Sequence, residues 1–266
     1  MFDLYLHSLE YYKHTLLLCH TNSLYLYLIY HTMFVIQIYL DILTLSPSNM
    51  AARERVSSLY QQQGDTKSAL YHLDLLLKDD FDNADYLLRK AALQIETNER
   101  TDAEKTLSIV RNFINDDAGK LITYMEQVRA IGNDEAAEAA MARAYEISNG
   151  NTFVTLRYAS LLLDLQNNEK AKTLLSSLSK EQQQSPVYHF LTGRLNANLG
   201  QSESAVNAYK RALAIDPSFA QAFIAIYNYA LNEQFVDVFL STAREMVKEN
   251  GNNLLAKNLL AQYLFF

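Results

Sequence analysis

Small and apolar residues return along this chain at a spacing of thirty-four. Ala205 is preceded at that interval by Ala171, Ala137, Ala103 and Ala69. Four residues after each stand Leu73, Leu107, Met141, Leu175 and Tyr209, and seven after stand Leu76, Val110, Ala144, Leu178 and Ala212. Such offsets put these side chains on one stripe of an α-helix. Five before each alanine come Gly64, Asn98, Gly132, Gln166 and Gly200. Gly and Asn tolerate the left-handed backbone that ends a helix. Twelve before stand Ser57, Ala91, Met125, Ala159 and Gly193, mostly small, as two closely approaching antiparallel helices require. Thr66, Thr101, Asp134, Asn168 and Ser202 follow each turn and are expected to cap the second helix. Pro217 cannot continue the helix before it. The pattern predicts helix, tight turn, helix and short link, over and over.

The best-formed stretch carries Gly193, Gly200, Ala205, Tyr209, Ala212 and Pro217. In these columns it resembles the tetratricopeptide repeat. The resemblance implies an all-α fold, a right-handed superhelical solenoid of antiparallel helix–turn–helix units. In this register six units span 50–83, 84–117, 118–151, 152–185, 186–219 and 220–253, and 254–266 begin the first helix of another. Two departures leave the helix packing of the last full unit open. Only Phe223 supplies the bulky aromatic expected at the fourth position, and Phe239 stands where the alanine column continues.

The resemblance also implies a partner-binding groove, lined by first helices on the concave side. Its expected lining includes Arg55, Arg89, Arg129, Phe153, Arg157, Phe190, Arg194 and Asn228. Apolar neighbours at equivalent places are Leu88, Ile95, Ile122, Leu156, Leu163, Val187, Ala197 and Leu231, half of them expected to pack between repeats. Arginine offers bidentate bonds to carboxylates, and phenylalanine supplies contact area that sheds water. Chaperone cofactors of the family hold a carboxyl-terminal peptide with a Lys and Asn clamp at the fifth and ninth positions. Here those places read Glu54/Ser58, Leu88/Ala92, Ile122/Glu126, Leu156/Ser160, Phe190/Arg194 and Ile224/Asn228, so that specialisation is not expected.

The ends differ from the middle. Residues 1–49 hold no Ala and no Gly but are rich in Tyr and His. Thr15 to Leu40 carries no Asp, Glu, Lys or Arg, long enough to cross a bilayer, with Lys13 on its amino side. Yet His20, Thr21, Asn22, His31, Thr32 and Gln37 load it with polar groups, and Phe34–Pro47 fits the second helix of a preceding unit. A membrane anchor, a degenerate repeat and a stretch foreign to the protein stay open. At the other end Leu259, Leu260, Leu264, Phe265 and Phe266 offer no polar cap. The expectation is a fragment of a longer array, or an end that docks on a missing repeat or another protein.

Composition narrows the chemistry. A formal charge of −7 and a pI near 5.4 argue against a nucleic acid partner. One cysteine, Cys19, allows no internal disulfide, and with His20 it lacks an orienting third group. Asp79, Asp80, Asp82 and Asp85 lack the glycine and distal glutamate of a calcium loop and read as a solvated link. His72 and His189 read as packed or partly exposed side chains. No catalytic motif is present, so no enzyme activity, cofactor or metal is expected. The favoured reading is a non-enzymatic scaffold that binds a protein or peptide segment. The alternatives are a bacterial envelope assembly factor and the regulatory array of a larger enzyme. Gln- and Asn-rich turns resemble repeat lipoproteins of exopolysaccharide export and surface-protein sorting, which places the expectation at the bacterial envelope rather than the cytoplasm.

Overall fold

The computed structural model describes residues 22–249, 251 and 253–265. Among them are fourteen α-helices: α1 (Asn22–Leu45), α2 (Met50–Gln62), α3 (Thr66–Asp79), α4 (Ala84–Glu96), α5 (Arg100–Val110), α6 (Ala118–Ala130), α7 (Asp134–Ile147), α8 (Thr152–Asp164), α9 (Asn168–Ser176), α10 (Pro186–Asn198), α11 (Ser202–Ile215), α12 (Ala220–Leu231), α13 (Val236–Glu249) and α14 (Leu254–Phe265). First helices begin at Met50, Ala84, Ala118, Thr152, Pro186, Ala220 and Leu254, thirty-four residues apart. The fold is all-α, a helical-repeat array in which each helix packs chiefly on its sequence neighbours. It divides into two compact units between Ile114 and Asn115.

Helices of this length are marginal alone in water, so burial of the apolar stripe must hold them. The stripe is where the columns put it. Ala69, Ala103, Ala137, Ala171 and Ala205 are all fully buried, as are Leu73, Met141, Leu76, Val110, Ala144 and Ala212. Each buried Leu or Met adds about 1.5–3 kcal/mol. The small column serves close approach in several ways. Ser57 donates its Oγ to the Ala69 carbonyl across the α2–α3 hairpin at 2.9 Å. Gly193 leaves room for the Tyr209 ring in the α10–α11 hairpin.

The turns correct the expected caps. Gly64, Asn98, Gly132, Gln166 and Gly200 all have positive φ, as the turn column requires. The cap is then the very next residue. Asp65, Asn133 and Asn167 accept from Ser68, Ala136 and Lys170, whereas Thr66, Asp134, Asn168 and Ser202 are already first residues of their helices. Thr101 lies one residue further in, and neither Glu99 nor Gln201 makes a side-chain cap bond. One left-handed residue followed at once by the cap makes the tightest turn, which leaves the hydroxyl column inside the helix. A second cap column precedes the first helices: Asn49, Asn83, Asp117, Asn151, Ser185 and Asn253 each accept from a backbone N–H two or three residues on.

The amino-terminal expectations meet a packed helix. Ile36 and Leu43 of α1 are buried, and Leu43 clusters with Ala52 and Val56 of α2, with Tyr39, Leu40 and Ile42 alongside. Gln37 donates to Asp41 at 2.8 Å on the exposed side. No helix among the described residues is long and apolar enough to cross a membrane. Cys19, His20 and Thr15–Thr21 lie outside the described residues. At the far end, Ala256 is buried and Leu259, Leu260 and Tyr263 pack on the cluster built around Phe223 and Phe239. Leu264 and Phe265 are exposed, and Phe266 lies outside the described residues.

His72 sits in the α2–α3 hairpin, stacked on Tyr60 at 5.8 Å and edge-on to Tyr71 at 5.2 Å. Burial, with Arg53 adding to it, pulls its pKa below the ordinary 6.5. The folded chain then takes up a proton less readily than the unfolded one, so stability is held above about pH 6.5 and falls as pH drops below it. His189, lowered by burial and by Arg211, acts with the same sign. Urea midpoints for wild type should fall between pH 7.5 and 5. His72→Phe should show a clearly smaller drop, and an equal drop would remove His72 as a cause.

Candidate functional site

The eight residues expected to line a groove separate into two sets, one in each unit. On α2 and α4, Arg55 is exposed, while Arg89 is half-buried and donates its Nε to Gln61 Oε1 at 2.6 Å. The Arg89 Nη2 is buried without a partner among the described residues. Burial lowers the Arg89 pKa, with Glu54 and then Tyr86 opposing the shift. Tyr86 reaches the same Glu54 carboxylate through its hydroxyl at 3.3 Å. This cation is therefore held within its own hairpin pair.

In the other unit the first helices α6, α8 and α10 are tied side by side by charge. Arg129 Nη1 donates to Asp164 Oδ2 at 2.8 Å and its Nε lies 3.7 Å from Asp134. Arg194 bonds the other Asp164 oxygen and places its Nη1 3.1 Å from Ser160 Oγ. Arg157 pairs with Glu126 and lies 5.9 Å over the Phe153 ring. Asn198 adds amide bonds to the Leu163 carbonyl and to Asn168, both at 3.0 Å. Arg129, Arg157 and Arg194 thus already have carboxylate partners on neighbouring helices.

The apolar candidates split as well. Leu88, Leu156 and Leu163 are buried packing residues. Phe190 is partly buried against Tyr209 and Phe219, at 5.8 and 5.5 Å, and burial pushes the Tyr209 phenol up to about 12. Phe153 is 62% exposed, and Val187, Ile224 and Leu231 are exposed on α10 and α12. Asn228 is exposed between the last two. Ile224, an exposed first-helix residue, was within reach of the same column reasoning. Asp164 lies outside the columns named from the sequence, and Glu126, named there at a ninth position, was not expected as a partner of Arg157.

Family models described as tetratricopeptide repeat match residues 132–195 and 188–219. Among solved structures, PilW, described as a widely conserved type IV pilus biogenesis factor, is 13% identical with a TM-score of 0.57, over 80% of this chain and 99% of that one. YrrB, described as a TPR protein with an unusual peptide-binding site, is 13% identical with a TM-score of 0.54, over 70% of this chain and 96% of its own. PilF of Pseudomonas aeruginosa is 16% identical with a TM-score of 0.53, over 80% and 97%. At such identities the likeness is one of fold. No curated protein matches the chain in sequence.

Proposed function

We propose that this chain, a helical-repeat array in which tetratricopeptide repeat models match residues 132–219, is a non-enzymatic scaffold whose first-helix face in residues 115–266 binds a segment of a partner protein. The observation that carries this reading is the exposure of Phe153, at 62%, on the first turn of α8, with Val187, Ile224 and Leu231 also open on the following first helices. Large apolar side chains left in water on successive helices supply what a partner segment can cover. YrrB, described as peptide-binding, lends the reading support through shared fold alone.

The test starts from a peptide-display selection against the full chain, with binding of an enriched peptide measured by calorimetry. Phe153→Ala should weaken that peptide about tenfold or more, the loss typical of a central aromatic anchor. Helicity should not change, because the ring is largely exposed to solvent. Unchanged affinity, or a selection that enriches nothing, would overturn the assignment.

A further inference from the structure

We infer that Asp164 is a carboxylate the protein supplies to its own two-arginine site, so that the α6–α8–α10 face accepts apolar, uncharged partner segments and turns away acidic ones. The inference rests on the first-helix face being the binding face. Asp164 is the last residue of α8, and it is approached from both sides: Arg129 from α6 and Arg194 from α10. Each oxygen takes one guanidinium, Oδ2 from Arg129 Nη1 at 2.8 Å and Oδ1 from Arg194 Nη2. Two arginines from flanking helices converging on one carboxylate is the arrangement that would receive a partner's acidic group. Here the acid is internal.

The other cations of these helices are also spoken for, since Arg157 is held by Glu126 and Lys120 pairs with Asp117. All these groups stay open to water, with side-chain exposures of 31% for Asp164, 36% for Arg129 and 25% for Arg194. A partner carboxylate would find the guanidiniums occupied and would meet Asp164 and Glu126 as like charges. What the face leaves unpaired is apolar, Phe153, Val187 and Ile224, with the Asn228 amide beside them. Ion pairs this exposed add little to stability. Replacing Asp164 therefore alters the charge of the face and leaves the helices standing.

The experiment titrates an acetylated, amidated hexaglutamate peptide into the full chain, with hexaglutamine as the neutral control. Wild type should bind the two equally poorly. Asp164→Asn should bind hexaglutamate about tenfold or more tighter than wild type, as two released guanidiniums allow. Added salt should erode the gain, and combining the change with Arg194→Gln should remove it. Wild type binding hexaglutamate as tightly as Asp164→Asn would overturn the inference, and so would no gain in the variant. Loss of helicity in both Asp164→Asn and Asp164→Ser would make Asp164 a structural tie and overturn it equally. The groove assignment is read separately, from Phe153→Ala and an enriched peptide. It survives a failure here, and its own failure would leave the hexaglutamate result readable.

Discussion

Phe239→Ala is expected to cost about 3–5 kcal/mol and to melt the last repeat first. The substitution restores the residue that the column offers at Ala69, Ala103, Ala137, Ala171 and Ala205, so a reading from the repeat pattern alone expects no loss. Packing decides otherwise. Phe239 is fully buried, stacked on Phe223 at 5.6 Å and touching Tyr227 and Tyr263, each at 5.3 Å. Those three rings come from α12 and α14, so the Phe239 side chain on α13 joins three helices. An alanine there leaves a cavity that fully buried Phe223 cannot fill without leaving its own place. Because repeat arrays lose stability locally, a single transition is a poor readout. Amide exchange is better. The amides of α12 and α13 should lose protection while those of α2 to α5 keep theirs, and Phe239→Leu should lose much less. Equal protection in Phe239→Ala and wild type would show that the aromatic cluster is dispensable.

The aromatic cluster also marks where sequence reasoning stopped. The alanine, leucine and turn columns were legible because burial on a helix is tied to its period, and a period survives any detail of packing. Ala69 and Leu73 could hardly point elsewhere once the register was known. At the first of these turns the cap falls one residue before the expected one, because Asp65 and Thr66 are both good capping types and only the left-handed φ of Gly64 chooses between them. The Asn49, Asn83, Asp117, Asn151 and Ser185 column carries its own thirty-four-residue signal, separate from the alanine, leucine and turn columns. Single columns put the arginines on the first helices but do not say what lies beside them. Their partners stand 35, 31 and 30 residues away, close to one repeat, which is where a neighbouring first helix puts its side chains. A search for opposite charges near one period would have found Asp164 and Glu126. Exposure at Phe153 was beyond any such search, since Phe190, the same residue type on a first helix, turns inward to Tyr209 and Phe219.

Gly193→Ala should destabilise the α10–α11 hairpin although alanine is the better helix former by about 1 kcal/mol. A Cβ on Gly193 would lie 2.4 Å from Tyr209 Cε1 and 2.5 Å from Cδ1, where no pair of carbons can stay. Tyr209 has little room to yield, being 3% exposed with the Phe190 ring 5.8 Å away. Overpacking of this kind costs about 1–3 kcal/mol, so it outweighs the helix gain. The chain itself contains the remedy. Where the small column holds Ala91 or Ala159, the facing column holds Leu107 or Leu175, a side chain that clears a methyl group. Tyr209→Leu alone should also destabilise, by leaving space above Gly193. Made together, the two changes recreate the Ala–Leu pair of two other hairpins and should recover about 1–3 kcal/mol of the summed loss, a coupling measurable in a double-mutant cycle by urea denaturation. Strict additivity would show that the glycine is not there to admit the ring. The hairpins would then share one packing scheme with interchangeable residues, rather than each matching its own pair across the helix contact.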